Sequence, residues 1–288
     1  MEPIFLKNLF TSDLHGHKKK YELLFKIISK EKPDGVFIGG DILPNTYAST
    51  DSADEFLERQ LFQPIWKARE QTRKDIQFFV ILGNDDPRIH EEILINADKE
   101  NTIKYVHNRT VPFDQYFVTG YSFIPPSPFQ LKDWEKYDVS RYIDLNSIPP
   151  EEGVRSIPVD KEVIQFSTIK EDLSTLVSNA SPKQTIYLFH SPPYNTVLDT
   201  ADLDGVMVEH APVDVHIGSV AIQRFIEHYQ PLLTLHGHVH ESTRITKKWR
   251  ELIGTTTAFT GAHEQHEFCY VSFDPERLAN ATRTQIIL

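Results

Sequence analysis

Short apolar runs alternate with longer amphipathic stretches along the first third of the chain. Ile4 to Ser12 reads as a strand and hands over to Asp13-Leu14-His15-Gly16-His17. Lys18 to Lys32 carries Tyr21, Leu24, Phe25 and Ile28 on one helical face, and Pro33-Asp34 ends it. Gly35 to Gly39 is a second short buried strand and delivers Gly40-Asp41. A polar loop, Pro44 to Ser52, precedes a helix from Ala53 to about Arg73 with Phe56, Leu57, Leu61 and Ile65 inward. Gln77 to Leu82, aromatic and β-branched, is a third strand ending in Gly83-Asn84-Asp85-Asp86-Pro87. Strand, polar residues, helix, repeated, predicts βαβ units with a largely parallel sheet whose functional residues gather at its carboxyl edge.

The second half is less regular. Tyr116 to Tyr121 reads as a strand, but Phe123 to Pro158 mixes proline, aromatics and charge without a period. Such a segment, spanning roughly 121–160, is either a lid over a site or a packed excursion that touches no ligand. Lys161 to Ser178 returns to helical spacing through Val163, Ile164, Phe166, Ile169, Leu173 and Leu176. Thr185 to Phe189 is a strand ending in His190-Ser191-Pro192-Pro193, and Ser219 to Tyr229 a helix. Leu232 to Leu235 is an apolar strand that runs into His236-Gly237-His238-Val239-His240. The tail, Ile253 to Leu288, alternates in places (Cys269, Val271, Phe273) as closing antiparallel strands do. With no internal repeat, low-complexity tract or linker, residues 1–288 read as one domain.

Composition narrows the partners. Forty-one acidic against 30 basic residues give a net charge of −11, which argues against a nucleic-acid scaffold or an anionic membrane surface. No uninterrupted apolar run is long enough to span a bilayer, and Met1 to Phe5 lacks the basic flank of a signal peptide. A single cysteine, Cys269, excludes an internal disulfide and suits a core position in a reducing compartment. The expectation is a cytoplasmic protein; nothing in the sequence sets its oligomeric state.

The candidate chemistry sits at the strand ends. Asp13, His15, Asp41, Asn84, His190, His238 and His240 supply two carboxylates, one amide oxygen and four imidazoles. Each imidazole carries two polar nitrogens that need partners, so clustered histidines are poor core filling and good metal ligands. Seven donors exceed one tetrahedral site and fit two ions sharing a carboxylate. Oxygen and nitrogen donors without thiolate suit manganese, iron or zinc.

The series Asp13-x-His15, Gly39-Gly-Asp41, Gly83-Asn84-Asp85, His190 and Gly237-His238-x-His240 resembles the calcineurin-like metallophosphoesterase superfamily, in the family's order. The resemblance implies an α/β fold, a four-layer αββα sandwich with two central mixed sheets. It implies that Asp13, His15 and His240 hold one ion, that Asn84, His190 and His238 hold another, and that Asp41 bridges them. The implied activity is hydrolysis of a phosphodiester or phosphomonoester, with a water between the ions attacking phosphorus. The alternative is a catalytically weak or inactive member of the fold that binds a partner. A metallo-β-lactamase-like site fits less well, because it leaves Asp13-x-His15 unexplained.

One position departs from the family pattern. Many members carry histidine directly after Gly-Asn, to protonate the leaving group or stabilise the transition state; this chain has Asp85. An ordinary aspartate is ionised at pH 7 and repels phosphate. His216 in Asp214-Val-His-Ile-Gly218 is the candidate substitute, followed by His210, so Asn84, Asp85 and His216 form the candidate catalytic set. His17, His236, Glu241 and Ser242 flank ligands and read as residues that orient them, with Ser242 alternatively opening a strand. Pro192 to Asn195 shapes either a pocket floor or a turn. Lys18, Lys19 and Lys20 read as a solvated helix start rather than a phosphate-steering patch, and His263 and His266, after the Gly261-Ala262 turn, as peripheral rather than reaching the site.

Overall fold

The computed structural model describes residues 6–44, 51–177, 180–208 and 210–288. The expectations for residues 1–5, for most of the polar loop (45–50) and for the helix end at 178 lie outside these. Two six-stranded mixed sheets form the centre. The first runs β14 (Thr282–Ile287), β13 (Glu267–Phe273), β1 (Asn8–Thr11), β2 (Gly35–Gly39), β3 (Gln77–Ile81), β4 (Lys104–Tyr105). The second runs β11 (Arg250–Ile253), β12 (Thr256–Thr260), β10 (Leu233–His236), β7 (Thr185–Phe189), β6 (Tyr116–Tyr121), β5 (Thr110–Phe113). A small hairpin, β8 (Met207–Val208) and β9 (Ala211–Pro212), stands apart.

Alternation along each strand builds the layers. Phe10, Phe37, Phe79 and Phe273 from the first sheet meet Val118, Leu188, Leu235 and Phe259 from the second in one buried layer. The opposite faces, Leu9, Val36, Ile38 and Val80 on one side and Tyr187 and Phe189 on the other, carry the helices. Helix α1 (Lys18–Glu31) buries Tyr21, Leu24 and Ile28 as its spacing predicts. The expected helix over Ala53 to Arg73 does bury Phe56, Leu57, Leu61 and Ile65, but it contains a π-helical stretch between α2 (Ala53–Leu57) and α3 (Gln63–Thr72). Pro64 has no N–H to give the helix, and the Gln63 N–H reaches five residues back to the Glu58 carbonyl.

Four segments correct the sequence reading. A helix α4 (Glu91–Lys99), which the pattern did not reveal, buries only Leu94 and Ala97. The stretch from Lys161 is two helices, α5 (Lys161–Phe166) and α6 (Ile169–Leu176), because Thr168 and Glu171 form a capping box that starts the second; Val163 and Phe166 are exposed. On the same side lies α7 (Val220–Tyr229), whose Phe225 packs on Tyr187 and Phe189. Ser242 opens a helix, α8 (Ser242–Thr246), not a strand. In the tail, β13 and β14 pair antiparallel as expected, whereas β12 runs parallel to β10.

The irregular segment is packed rather than loose. Trp134 is fully buried and donates its indole N–H to the Asp86 carbonyl at 2.8 Å. Lys132 and Glu135 form an ion pair at 2.6 Å with both side chains fully buried. Asp138 accepts the N–H groups of Val220 and Ala221 at the start of α7. Most of the segment therefore braces the carboxyl edges of the two sheets.

Candidate metal centre

The strand ends of both sheets meet at one edge. β1 delivers Asp13 and His15, β2 delivers Asp41 and β3 delivers Asn84; from the second sheet β7 delivers His190, and β10 delivers His238 and His240. The loops are knitted by their backbones: Asp13 donates to the Gly40 carbonyl at 3.0 Å, His15 to Asp41 at 2.7 Å, and Gly237 to His190 at 2.9 Å. Asp13, His15, Asp41 and His238 all adopt left-handed backbone, with φ of 58°, 46°, 52° and 74°. Non-glycine residues in that region store strain, and four of seven strand-end candidates doing so marks a site held against local preference.

The side chains converge in two groups. Asp13, His15, Asp41 and His240 each place a ligand atom within 4.8 Å of the others. His15 and His240 bring their Nε2 atoms to 3.0 Å, and His240 Nε2 lies 3.3 Å from Asp13 Oδ1. In the second group His190 Nε2 stands 2.9 Å from Asn84 Oδ1, while His190 Nδ1 is turned onto the Gly39 carbonyl at 2.7 Å. The His238 ring packs beside it, centroids 5.3 Å apart. Asp41 Oδ2 touches both groups, 3.9 Å from His15 Nε2 and 3.3 Å from His190 Nε2. Glycine permits this crowding: a Cβ on Gly83 would sit 2.3 Å from Asp41 Oδ1, and one on Gly40, at φ +96°, would sit 2.6 Å from His190 Nδ1.

The electrostatics fit a cation centre. Asp13 and Asp41 are buried, and among the described residues no lysine or arginine side chain reaches either carboxylate. Burial opposes charge on Asp41, yet His190 and His15 hold its carboxyl down to about 2. Burial likewise opposes charge on His190, but Asp41 and Asp13 draw its imidazole up to about 10. His238, desolvated and beside that charge, is pushed down to about 3 and stays neutral, the form that ligates a metal. Two buried carboxylates facing imidazoles through their ring nitrogens are a donor set that divalent ions satisfy.

Asp85 lies at the mouth, its side chain 51% exposed. It accepts the Asn84 amide N–H at 2.9 Å, turning the Asn84 oxygen toward His190, and its other oxygen is 3.5 Å from His15 Nδ1. Negative charge on Asp41 raises its carboxyl to about 7, a push that bound cations would cancel. His216 is otherwise engaged: Nδ1 is 2.8 Å from Asp199 Oδ1, its ring stands against Tyr194, and it does not line the cleft in front of His15. His210 is exposed between β8 and β9. His17, also exposed, does line that cleft. His236 is buried between the Ser191 carbonyl and Thr234, holding the strand end. Glu241 accepts from the Asp202 N–H, and Pro192 accepts the Ser219 N–H, tying the segment after β7 to the start of α7. His263 is buried and His266 exposed, neither lining the cleft, while Cys269 is core as expected.

Sequence reasoning missed two residues. Lys20 is not solvated: it is buried in the first turn of α1 and donates to the Asp13 carbonyl at 3.1 Å. Asp86 gathers the N–H groups of Ile42, Leu43 and Gly83, tying the loops after β2 and β3 together. A second carboxylate directly after Asn84-Asp85 was the available signal, since loop aspartates commonly cap free N–H groups.

The fold is shared with solved structures. The structure of TT1561 from Thermus thermophilus superposes with a TM-score of 0.57 at 15% identity, over 99% of both chains. A dimetal phosphatase from Danio rerio gives 0.51 at 13% identity, again over 99% of both. An uncharacterised protein of Methanocaldococcus jannaschii is 35% identical over 83 residues, 28% of this chain and only about a third (34%) of that relative. The sequence model of the calcineurin-like phosphoesterases matches residues 6–242, spanning every strand end described above. The chain belongs to the calcineurin-like phosphoesterase family.

Proposed function

We propose that this chain is a dimetal-dependent phosphoesterase hydrolysing a phosphodiester or phosphomonoester. Asp13, His15 and His240 hold one divalent ion, Asn84, His190 and His238 the other, and Asp41 is shared. Manganese, iron and zinc fit these oxygen and nitrogen donors. Such ions supply Lewis acidity toward a phosphoryl oxygen and an activated water at neutral pH.

The chain's own residues do the rest. His190 is oriented by the Gly39 carbonyl, which fixes Nε2 toward the centre. Asp85 holds the Asn84 amide by its N–H, so that Asn84 presents oxygen and not nitrogen. In this reading Asp85 positions Asn84 and His15 and does not donate a proton, and His216 supports the Asp199 loop. The observation that carries the reading is the position of Asp41 Oδ2, between His15 and His190.

The test is hydrolysis of a panel of phosphodiesters and monoesters by metal-depleted protein, before and after adding manganese, with Asp41→Asn as control. Metal-dependent turnover that the variant loses supports the reading. Binding of two ions without turnover on any ester would instead favour a partner-binding role.

A further inference from the structure

The cleft in front of His15, Asp85 and His240, about 440 Å³, is lined by both polar and apolar side chains. His17, Lys20 and Gln265 are polar. Pro44, Pro87 and Leu131, each partly exposed, are apolar and come from three separate segments, the loops after β2 and β3 and the irregular excursion. Leu43 beneath them is buried and held by its N–H bond to Asp86 at 2.7 Å. Leu131 is bridged to Val154, and paired residues in a ladder leave it on the same face. Val154 is 59% exposed, so the apolar surface continues out of the cleft.

Charge points the same way. Among the described residues, Lys20 is the one lysine or arginine lining the cleft, and its amine is buried against the Asp13 carbonyl. Among the described residues, a second phosphate or a carboxylate on the substrate meets no lysine or arginine but Lys20, whose amine is already bonded to the Asp13 carbonyl, and it faces Asp85 at the mouth.

We propose that the substrate is a single-phosphate ester of an apolar alcohol, its hydrocarbon part lying on Pro44, Pro87 and Leu131 and running out over Val154. The inference rests on the phosphoesterase reading for the word substrate, but its ligand class is testable without turnover.

The experiment is calorimetric binding of methyl-, butyl- and octylphosphonate, which are not hydrolysed, to the manganese-loaded protein. Each methylene that reaches these apolar side chains tightens Kd by about fourfold. Leu131→Ser and Val154→Ser reduce the octyl-to-methyl affinity ratio by about tenfold or more, with methylphosphonate binding unchanged; the exposed Val154 makes its variant safe for folding. Pyrophosphate binds no tighter than phosphate. A Kd that is flat across the series, a slope that both variants preserve, or tighter binding of pyrophosphate than of octylphosphonate would overturn the proposal. A steep series in a protein that hydrolyses no ester would overturn the phosphoesterase reading and leave the ligand class standing.

Discussion

The main-chain N–H of Asp85 donates to Asp41 Oδ1 at 2.8 Å. The residue that departs from the family pattern is thereby tied to the carboxylate shared by both ligand groups. Asp41 needs that bond: one oxygen is fixed by it, and the other is left facing His15 and His190. Replacing Asp41 by Asn removes half of the buried negative charge and puts an amide nitrogen where a ligand oxygen stood. The expected outcome is loss of at least one bound ion per chain and a fall in turnover of more than about a hundredfold. Elemental analysis after gel filtration, paired with kinetics, checks it.

Asp85 itself is expected to act through Asn84. Asp85→Ala leaves the Asn84 amide without its acceptor, and activity and metal affinity fall about 10- to 100-fold. Asp85→Asn keeps an acceptor oxygen and recovers most of the loss. Were Asp85 a proton donor, the Asn variant would be as poor as the Ala variant, so the kcat of the pair separates the two roles.

The buried ion pair in the irregular segment sets a stability prediction. Lys132 and Glu135 are both fully buried, so Lys132→Met strands a desolvated carboxylate and costs about 3–5 kcal/mol. The double variant Lys132→Met, Glu135→Leu recovers most of that loss, since apolar replacement of both partners removes the unpaired charge. Urea unfolding of the two variants measures the difference.

How much of this was legible beforehand follows from where the physics is local. Histidines directly after an apolar run, as in Leu235-His236-Gly237-His238, announce themselves because buried imidazoles need partners. The strands β1, β2, β3 and β7 were legible because each is a short apolar run bounded by breakers. Helix α4 escaped because it buries only Leu94 and Ala97, too narrow an apolar stripe to show a period. Lys20 was misjudged because a lysine in a helix's first turn reads as solvated unless the Asp13 carbonyl is known to lie above it. The left-handed backbone at Asp13, His15, Asp41 and His238 is also invisible in the sequence, since no glycine marks those positions. His216 stands directly before α7 in the sequence, and its contact with Asp199 at 2.8 Å is tertiary, which no local pattern shows.

Acid sensitivity is expected from His263, which is buried, has no partner for Nε2 among the described residues, and is pushed down to about 3 by burial and by Lys20. Its folded value lies below the unfolded value of about 6.5, so the unfolded chain binds the extra proton first. Stability is therefore full above about pH 6.5 and declines as pH falls toward 3, by about 1.4 kcal/mol per pH unit from this group within that window. His263→Asn removes the contribution, and the difference in unfolding free energy between the two proteins at pH 7.5 and pH 5 measures it.

The most direct measurement is anomalous diffraction from crystals soaked in manganese. The account predicts two peaks per chain, one among Asp13, His15 and His240 and one among Asn84, His190 and His238, with Asp41 in reach of both. A single peak, or peaks away from Asp41, would contradict it.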